Sequence, residues 1–343
     1  MTSALSPGVI DIMNFLIPAL YFALLALALN LEWGHTGLFN AGIAGFWAVG
    51  AYTAAILITP LSPASLSYPG HIGGFNQSFV IGALVATVLT GLLGLLLTLP
   101  ILRLRADYFA IATLAFAEII RIVFNSAESV TGGSLGIFSI PRPFDTLLPT
   151  IAGANVDPGY SDLSLLVLTG VLVVLSLIAW DYLTGSSWGR VLRGIRDDDV
   201  ATLAAGKRVA SFQLQAMILG SALMGLSGAV FAIYQRVVVP DQFEPLSTFT
   251  IYVMVILGGS ANNRGVIVGA FVFYFLDWIS VRLAGLIPSN AGGVLGGIGS
   301  NLVANIAYYR LMVIGLILIL LIIYRPQGIF REKKHTYPPV TGP

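Results

Sequence analysis

The sequence contains no cysteine, only three histidines (His35, His71 and His335), and 10% charged residues over 343 positions. Without cysteine there is neither a disulfide framework nor a thiolate metal site. The scattered histidines are expected at surfaces or interfaces, so we expect no metal. A soluble domain carries about 25% charged residues and about 45–50% apolar ones, whereas 57% of this chain is hydrophobic. The composition therefore predicts a polytopic membrane protein that contacts the lipid bilayer.

The same scarcity of polar residues excludes several functions. A net charge of +1, with no basic arm, argues against a nucleic-acid partner. The single Gly-Lys pair, Gly206-Lys207, is followed by Arg208 and does not form a phosphate-binding loop. The longest stretches without an apolar span, 126–162 and 183–211, are too short for a nucleotide-hydrolysing domain. We therefore expect that this chain is not an enzyme and needs no cofactor.

Apolar segments dominate the chain, and a bilayer-crossing helix needs about 20 mostly apolar residues. The first segment follows no Lys or Arg and is of full span length, so it is expected to be retained and not cleaved as a signal. We predict an all-α, polytopic transmembrane bundle in a single domain, 1–343, with about nine spans (8–10). The nine segments are 9–31, 38–59, 79–102, 107–125, 163–182, 212–235, 247–259, 266–281 and 308–324.

The positions of the basic residues predict the orientation, because Lys and Arg accumulate on the cytoplasmic side. Nine alternating spans with a cytoplasmic tail, 331–343, leave five arginines outside or at outer helix ends, and the other twelve basic residues inside. The opposite orientation reverses that ratio. The outer five are Arg121, Arg142, Arg236, Arg282 and Arg310.

One predicted cytoplasmic segment, 186–211, has a pattern of its own. Arg190, Arg193 and Arg196 recur at every third position beside an apolar flank. Asp197 to Asp199 then suit the start of a second helix, where acidic residues favour the positive end of the dipole, and Gly206 suits its end. A solvated positive loop and a compact helical unit that docks on a partner both fit this pattern.

Two polar features lie within predicted spans. Glu118 and Arg121 are three residues apart on one helix face. Because charge exposed to lipid is costly, they form either a structural ion pair or a polar point on a transport pathway. Asn40 either offers its amide to a substrate or satisfies a broken helical turn.

Small residues form stripes on two predicted spans. They permit close helix approach, and their exposed backbone could also line a narrow route for a substrate. The stripes are Gly42, Gly45 and Gly50 in the second span, and Ser221, Gly225 and Gly228 in the sixth.

Several motifs, spread in order over nearly 300 residues, resemble branched-chain amino-acid permeases of the LivM type, which belong to ATP-binding-cassette importers. Segment 186–211 is similar to the loop through which such permeases couple to ATPases. Gly194, Asp199 and Thr202 depart mildly from that loop. The other similar stretches are LNLEWGHTGLFNAGIAGFWAVGAYTAAIL, LRLRADYFAIATLAFAEIIRIVFNSAESVTGGSLGI, GLSGAVFA, VILGGSANNRGVIVGA and YRPQGIF. The resemblance assigns ATPase coupling to Gly189, Arg190, Arg193, Ile195, Arg196, Asp199, Ala201 and Gly206.

The resemblance implies a permease subunit in a bacterial-type inner membrane that carries leucine, isoleucine or valine. Its implied partners are a second homologous permease, two cytoplasmic ATPases and an extracytoplasmic binding protein. An importer for urea, amides or other amino acids is the alternative within the class. A stand-alone secondary transporter or channel is the alternative outside it, marked by broken helices and buried acids.

Overall fold

A computed structural model describes residues 7–60, 75–101, 106–145 and 158–286, together with scattered positions between 312 and 331. Most of the predicted segment 308–324 and the tail after Arg331 lie outside the described residues, as do His71, His335 and Arg310.

The described residues are mostly helical and include no β-strand; Ile137 and Val238 form an isolated antiparallel bridge. Short 3₁₀ turns cover Gly133–Leu135 and Pro240–Phe243, and a π-helical turn, Asn30–His35, continues the first helix. The α-helices are α1 Pro7–Leu29, α2 Ile43–Ile58, α3 Phe79–Ile101, α4 Ala106–Ser126, α5 Glu128–Thr131, α6 Pro158–Gly185, α7 Ser187–Asp197, α8 Asp199–Ala204, α9 Val209–Gln235, α10 Pro245–Gly258 and α11 Asn263–Leu286.

Among the residues that the structure describes, five helical segments are long and apolar enough to cross a membrane. The apolar helices α2 and α10 are shorter. The all-helical, multi-pass architecture is thus confirmed, while the count of nine spans stays a prediction. The five segments are Gly8–His35, Phe79–Ile101, Asp107–Ser126, Tyr160–Gly185 and Val209–Gln235.

The core forms where α1, α2 and α9 pack together, and small residues set their spacing. A Cβ added at Gly50 would collide with the backbone of Gly225, and one at Gly228 with the backbone of α2 near Trp47. Gly42 and Gly45 similarly contact α4 at Thr113 and Ala117. The backbones therefore approach closely, as small interfacial residues allow in membrane helices.

The second predicted span begins later than its sequence pattern indicates. Residues 37–42 are not helical, and α2 starts only at Ile43. Gly37 has a φ of +79°, and the Asn40 Oδ1 accepts a hydrogen bond of 2.8 Å from the Gly42 N–H. The apolar run is thus interrupted by backbone geometry that hydrophobicity alone does not reveal.

Charged side chains collect at the two ends of the bundle. At one end, Arg121, Arg142 and Arg236 lie around the 3₁₀ turn and the 137–145 segment, and Arg282 pairs with Asp11 at the start of α1. Helix α7 and the turn between α10 and α11 lie at the other end. The backbone of Ile329 and Phe330 hydrogen-bonds to Leu257 and Gly258 beside that turn. Ile329 and Phe330 therefore lie on the same side as α7.

Candidate coupling loop and buried polar network

The helix α7 forms because its sequence is amphipathic and has a cap. The Ser186 Oγ accepts a hydrogen bond of 3.2 Å from the Trp188 N–H, which satisfies one unpaired donor at the helix start. Leu192 and Ile195 are buried. The Trp188 indole N–H donates to Gln215 Oε1 at 2.7 Å and ties α7 to α9. The predicted apolar flank therefore lies against the membrane helices.

The helix α8 is short and solvent-exposed. The Asp198 Oδ1 accepts a hydrogen bond of 2.9 Å from the Ala201 N–H and caps its start. Gly206, with a φ of +78°, follows its end and takes the left-handed conformation that favours glycine. Val200 and Leu203 are 74% and 62% exposed. The unit formed by α7 and α8, which we call the coupling loop, thus presents apolar side chains outward.

The three arginines of α7 face different surroundings. Arg190 is exposed and lines a groove between α7 and α8, together with Asp198, Ala201 and Lys207. The Arg193 Nη1 instead donates to the Thr184 carbonyl oxygen at 3.0 Å, and the Arg196 Nη1 donates to the Gly34 carbonyl oxygen at 2.7 Å. Two arginines therefore bind the chain's own backbone.

Other predicted coupling residues divide in the same way. Gly189 and Ile195 are buried, and Gly189 contacts the Thr184 backbone so closely that a Cβ would collide with it. Asp199, Ala201 and Gly206 are exposed. The loop thus has a face that packs on the bundle and a face open to a partner.

A buried carboxylate lies in the π-helical turn, directly after the apolar run of α1. Glu32 is fully buried, and its Oε2 accepts a hydrogen bond of 2.8 Å from the Asn40 Nδ2. Within the described part of the chain its Oε1 has no hydrogen-bond partner. A Cβ at Gly220 in α9 would collide with that oxygen. The Asn40 amide therefore bonds both the backbone of the broken turn, at Gly42, and the carboxyl group of Glu32. Both side chains are buried inside the chain.

Asn263 joins three helices next to this carboxylate. Its Oδ1 accepts a hydrogen bond of 2.9 Å from the Asn30 Nδ2, and the His35 Nε2 lies 3.2 Å from the same oxygen. Its Nδ2 donates to Asp181 Oδ1 at 2.9 Å. His35 is buried within the chain, so the expected position at a surface or interface is wrong for this histidine, because the turn that carries it packs against α7.

The sequence pattern missed Glu32, Asn30 and Asn263 as candidate functional residues. Glu32 is the one acidic residue between Asp11 and Asp107, and it directly follows the predicted end of the first span. This isolation among apolar residues is the sequence signal that could have pointed to Glu32 as a candidate functional residue. Its partners come from residues far along the chain, and their proximity depends on the fold.

The predicted pair on α4 forms a bidentate ion pair. The Arg121 Nη2 and Nε lie 2.6 and 3.0 Å from the two Glu118 carboxylate oxygens, and Arg121 Nη1 lies 3.3 Å from Asp241 Oδ1 in the 3₁₀ turn. The side chains of Glu118 and Arg121 are 34% and 25% exposed. The pair thus links α4 to the turn after α9 and keeps partial access to its surroundings.

Arg142 anchors the segment before α6 at the same end. It forms an ion pair with Asp162, and its Nη2 donates to the Tyr234 carbonyl oxygen at 3.4 Å. Burial lowers the pKa of the Arg142 guanidinium, and the positive charge of Arg236 adds to that effect. The described residues include no group of His, Asp or Glu side chains that could hold a metal ion.

A bundle of apolar helices with charged ends and a surface helical loop defines a multi-pass membrane protein. The family described as branched-chain amino acid transport system / permease component matches residues 11–322. The chain belongs to this family, as the resemblance of its motifs predicted.

Individual relatives agree with this result. The chain is 30% identical to the high-affinity branched-chain amino acid transport system permease protein LivM of Escherichia coli and 29% identical to that of Salmonella typhimurium. Each alignment covers 94% of this chain and 70% of the relative. The probable branched-chain amino acid transport permease protein LivM of Methanocaldococcus jannaschii is 25% identical, with 96% of both chains covered. No solved structure matches the chain significantly.

Proposed function

We propose that the chain is the membrane permease subunit of an ATP-driven importer in a bacterial-type inner membrane, and that its substrates are leucine, isoleucine and valine. A binding protein delivers the substrate outside, and a second permease completes the pathway. Two ATPase subunits bind from the cytoplasm. The family match over residues 11–322 carries this proposal, and the printed names of the relatives supply the substrate class.

The coupling loop is the ATPase-docking surface in this proposal. Its exposed features are Arg190, which lines the groove between α7 and α8, and the apolar side chains of Val200 and Leu203 on α8, which are exposed beside that groove. Apolar side chains in a charged rim are typical of protein interfaces. The side that carries the coupling loop is the cytoplasmic one, which also makes the chain end cytoplasmic.

Transport by the reconstituted complex tests the substrate and the energy source. The permease, its homologous partner and the ATPases are placed in liposomes with the binding protein, and leucine uptake is measured with and without ATP. Uptake that needs ATP and persists after ion gradients are collapsed supports the importer. Uptake by this chain alone, driven by an ion gradient, favours the stand-alone transporter instead.

Docking is tested by changing the exposed face of the coupling loop. We expect Arg190→Glu and Leu203→Asp each to weaken ATPase association at least tenfold, about 1.4 kcal/mol, because both remove a contact at the interface. Arg208→Glu is the charge-matched control for Arg190→Glu, since Arg208 is exposed just after α8 and, unlike Arg190, does not line the groove. Co-purification that is unchanged in both variants would rule out this surface.

A further inference from the structure

The π-helical turn at the end of α1 depends on α7 for its completion. The last carbonyl groups of a helix lack partners within the helix. The Gly34 carbonyl oxygen is bound by the Arg196 guanidinium, 162 residues further along the chain. Three neighbouring carbonyl oxygens are bound locally: Leu31 O by Thr36 Oγ1, Glu32 O by Leu38 N–H and Trp33 O by Gly37 N–H.

The segment after the π-helical turn lies directly against α7. A Cβ added at Gly37 would lie 3.3 Å from the Cα and 3.5 Å from the Cβ of Arg196. Gly37 also has a positive φ, which other residues rarely adopt. The two backbones therefore touch at the point where the arginine binds.

A second path joins α7 to the same turn. Arg193 holds the Thr184 carbonyl oxygen, and the Thr184 Oγ1 accepts a hydrogen bond of 3.2 Å from the Asn263 Nδ2. Asn263 in turn binds Asn30, the first residue of the π-helical turn. Arg196 thus contacts the end of the turn directly. Arg193 is connected to its start through Thr184 of α6 and Asn263 of α11.

The π-helical turn also carries the buried carboxylate. Glu32 binds Asn40 through one oxygen and contacts Gly220 with the other. A displacement of the turn therefore moves the buried carboxyl group of Glu32 against α9 and the start of α2. Single π-helical turns are frequent at functional sites, and this one lies between a surface helix and the core of the bundle.

Resting on the proposed function, we propose that α7 and the π-helical turn move as one body. Arg196 is the positioning residue that transmits movement of α7 to the Glu32–Asn40 pair inside the membrane. It binds within the protein and does not contact the ATPase.

The first test separates transmission from docking. In liposomes with both ATPases and the binding protein, Arg196→Gln is expected to keep ATPase association and basal hydrolysis within about twofold. Leucine uptake per ATP hydrolysed should fall at least tenfold, because the hydrogen bond from the Arg196 guanidinium to the Gly34 carbonyl oxygen is lost. Arg208→Gln is the control and should match the unsubstituted protein. Unchanged uptake per ATP, or lost ATPase association, in Arg196→Gln would overturn the proposal.

The second test replaces the lost hydrogen bond between α7 and the π-helical turn with a disulfide bond. The chain has no cysteine, and a Cβ separation of 3.5 Å is within the range for a disulfide. In Gly37→Cys/Arg196→Cys, oxidation is expected to return uptake per ATP to within about threefold of the unsubstituted protein. The reduced form, which controls for strain at Gly37, should stay uncoupled. Equal activity of both forms would contradict movement as one body.

These outcomes distinguish the two proposals. Failure of the unsubstituted chain to associate with any ATPase overturns the importer function, and the transmission role with it. Normal ATP-driven uptake together with normal coupling in Arg196→Gln overturns only the transmission role.

Discussion

At the scale of single residues, missing side chains determine how closely the central helices pack. Gly50 and Gly225 meet where α2 crosses α9, and Gly225 also contacts Ala86 and Thr90 of α3. One glycine thus serves two helix contacts. The glycine stripes were visible in the sequence, but the identity of each facing helix was not, because a stripe shows which face packs without showing its partner.

Gly50→Ala should lower the stability of the purified protein in detergent, because the new methyl group would press on the Gly225 backbone. Overpacking of this kind costs about 1–3 kcal/mol. A fall in the apparent unfolding temperature would report it. Gly170→Ala is the matched control, since a Cβ at that position meets no atom within 4 Å. Equal stability of the two variants would contradict the close approach of α2 and α9.

At the scale of elements, ion pairs fasten the segment before α6 to the ends of the helices. Arg142 pairs with Asp162 at the start of α6 and has an 11% exposed side chain. The Arg236 side chain is 48% exposed, and its Nη2 lies 3.0 Å from Asp145 Oδ2. Both ion pairs hold the same segment, but Arg142 is much more buried than Arg236. Their contributions to the stability of the protein should therefore differ.

Arg142→Gln should destabilise the protein more than Arg236→Gln. A hydrogen bond to a charged group contributes about 1.5–3 kcal/mol when one partner is lost, and the Asp162 carboxylate would be left without its guanidinium. Exposed ion pairs contribute about 0–1 kcal/mol. Denaturation followed by tryptophan fluorescence measures both. The reverse ranking would show that Arg142 is not the anchor.

At the scale of the whole molecule, the fold places charged groups at the two ends of the helical bundle. Four of the five arginines predicted outside, Arg121, Arg142, Arg236 and Arg282, lie at the end opposite α7. The fifth is Arg310, outside the described residues. Arg264, predicted inside, lies 3.6 Å from Asp181 near α7. The grouping agrees with the sidedness predicted from the sequence, although which end faces the cytoplasm is still a proposal.

Cysteine accessibility tests that orientation in a chain that has no cysteine of its own. Leu203→Cys is expected to react with a membrane-impermeant maleimide in inside-out vesicles and to stay unlabelled in intact cells. Asp241→Cys, at a side chain 73% exposed on the other end, should show the opposite pattern. Labelling of both from the same side would overturn the topology.

Much of the fold could be predicted because its signals are local. Long apolar runs mark most helices within a few residues, and Asp198 and Gly206 mark the ends of α8 where acidic and glycine residues were expected. A broken turn at Asn40 was one of two alternatives, but the predicted span 38–59 ran through the break at 37–42, since the apolar residues there continue the hydrophobic run. It is stabilised by the side chain of Asn40 and the φ of Gly37.

The sequence by itself determined the class of protein and the position of the amphipathic segment that forms α7 and α8, because hydrophobicity, charge placement and motif order are properties of the linear chain. Tertiary structure alone decided that Arg193 and Arg196 turn inward while Arg190 stays exposed. It also decided that Glu32 is buried beside Asn40 and Gly220. These contacts join residues up to 188 positions apart (220 − 32), and only helix packing can determine which distant groups share a buried space.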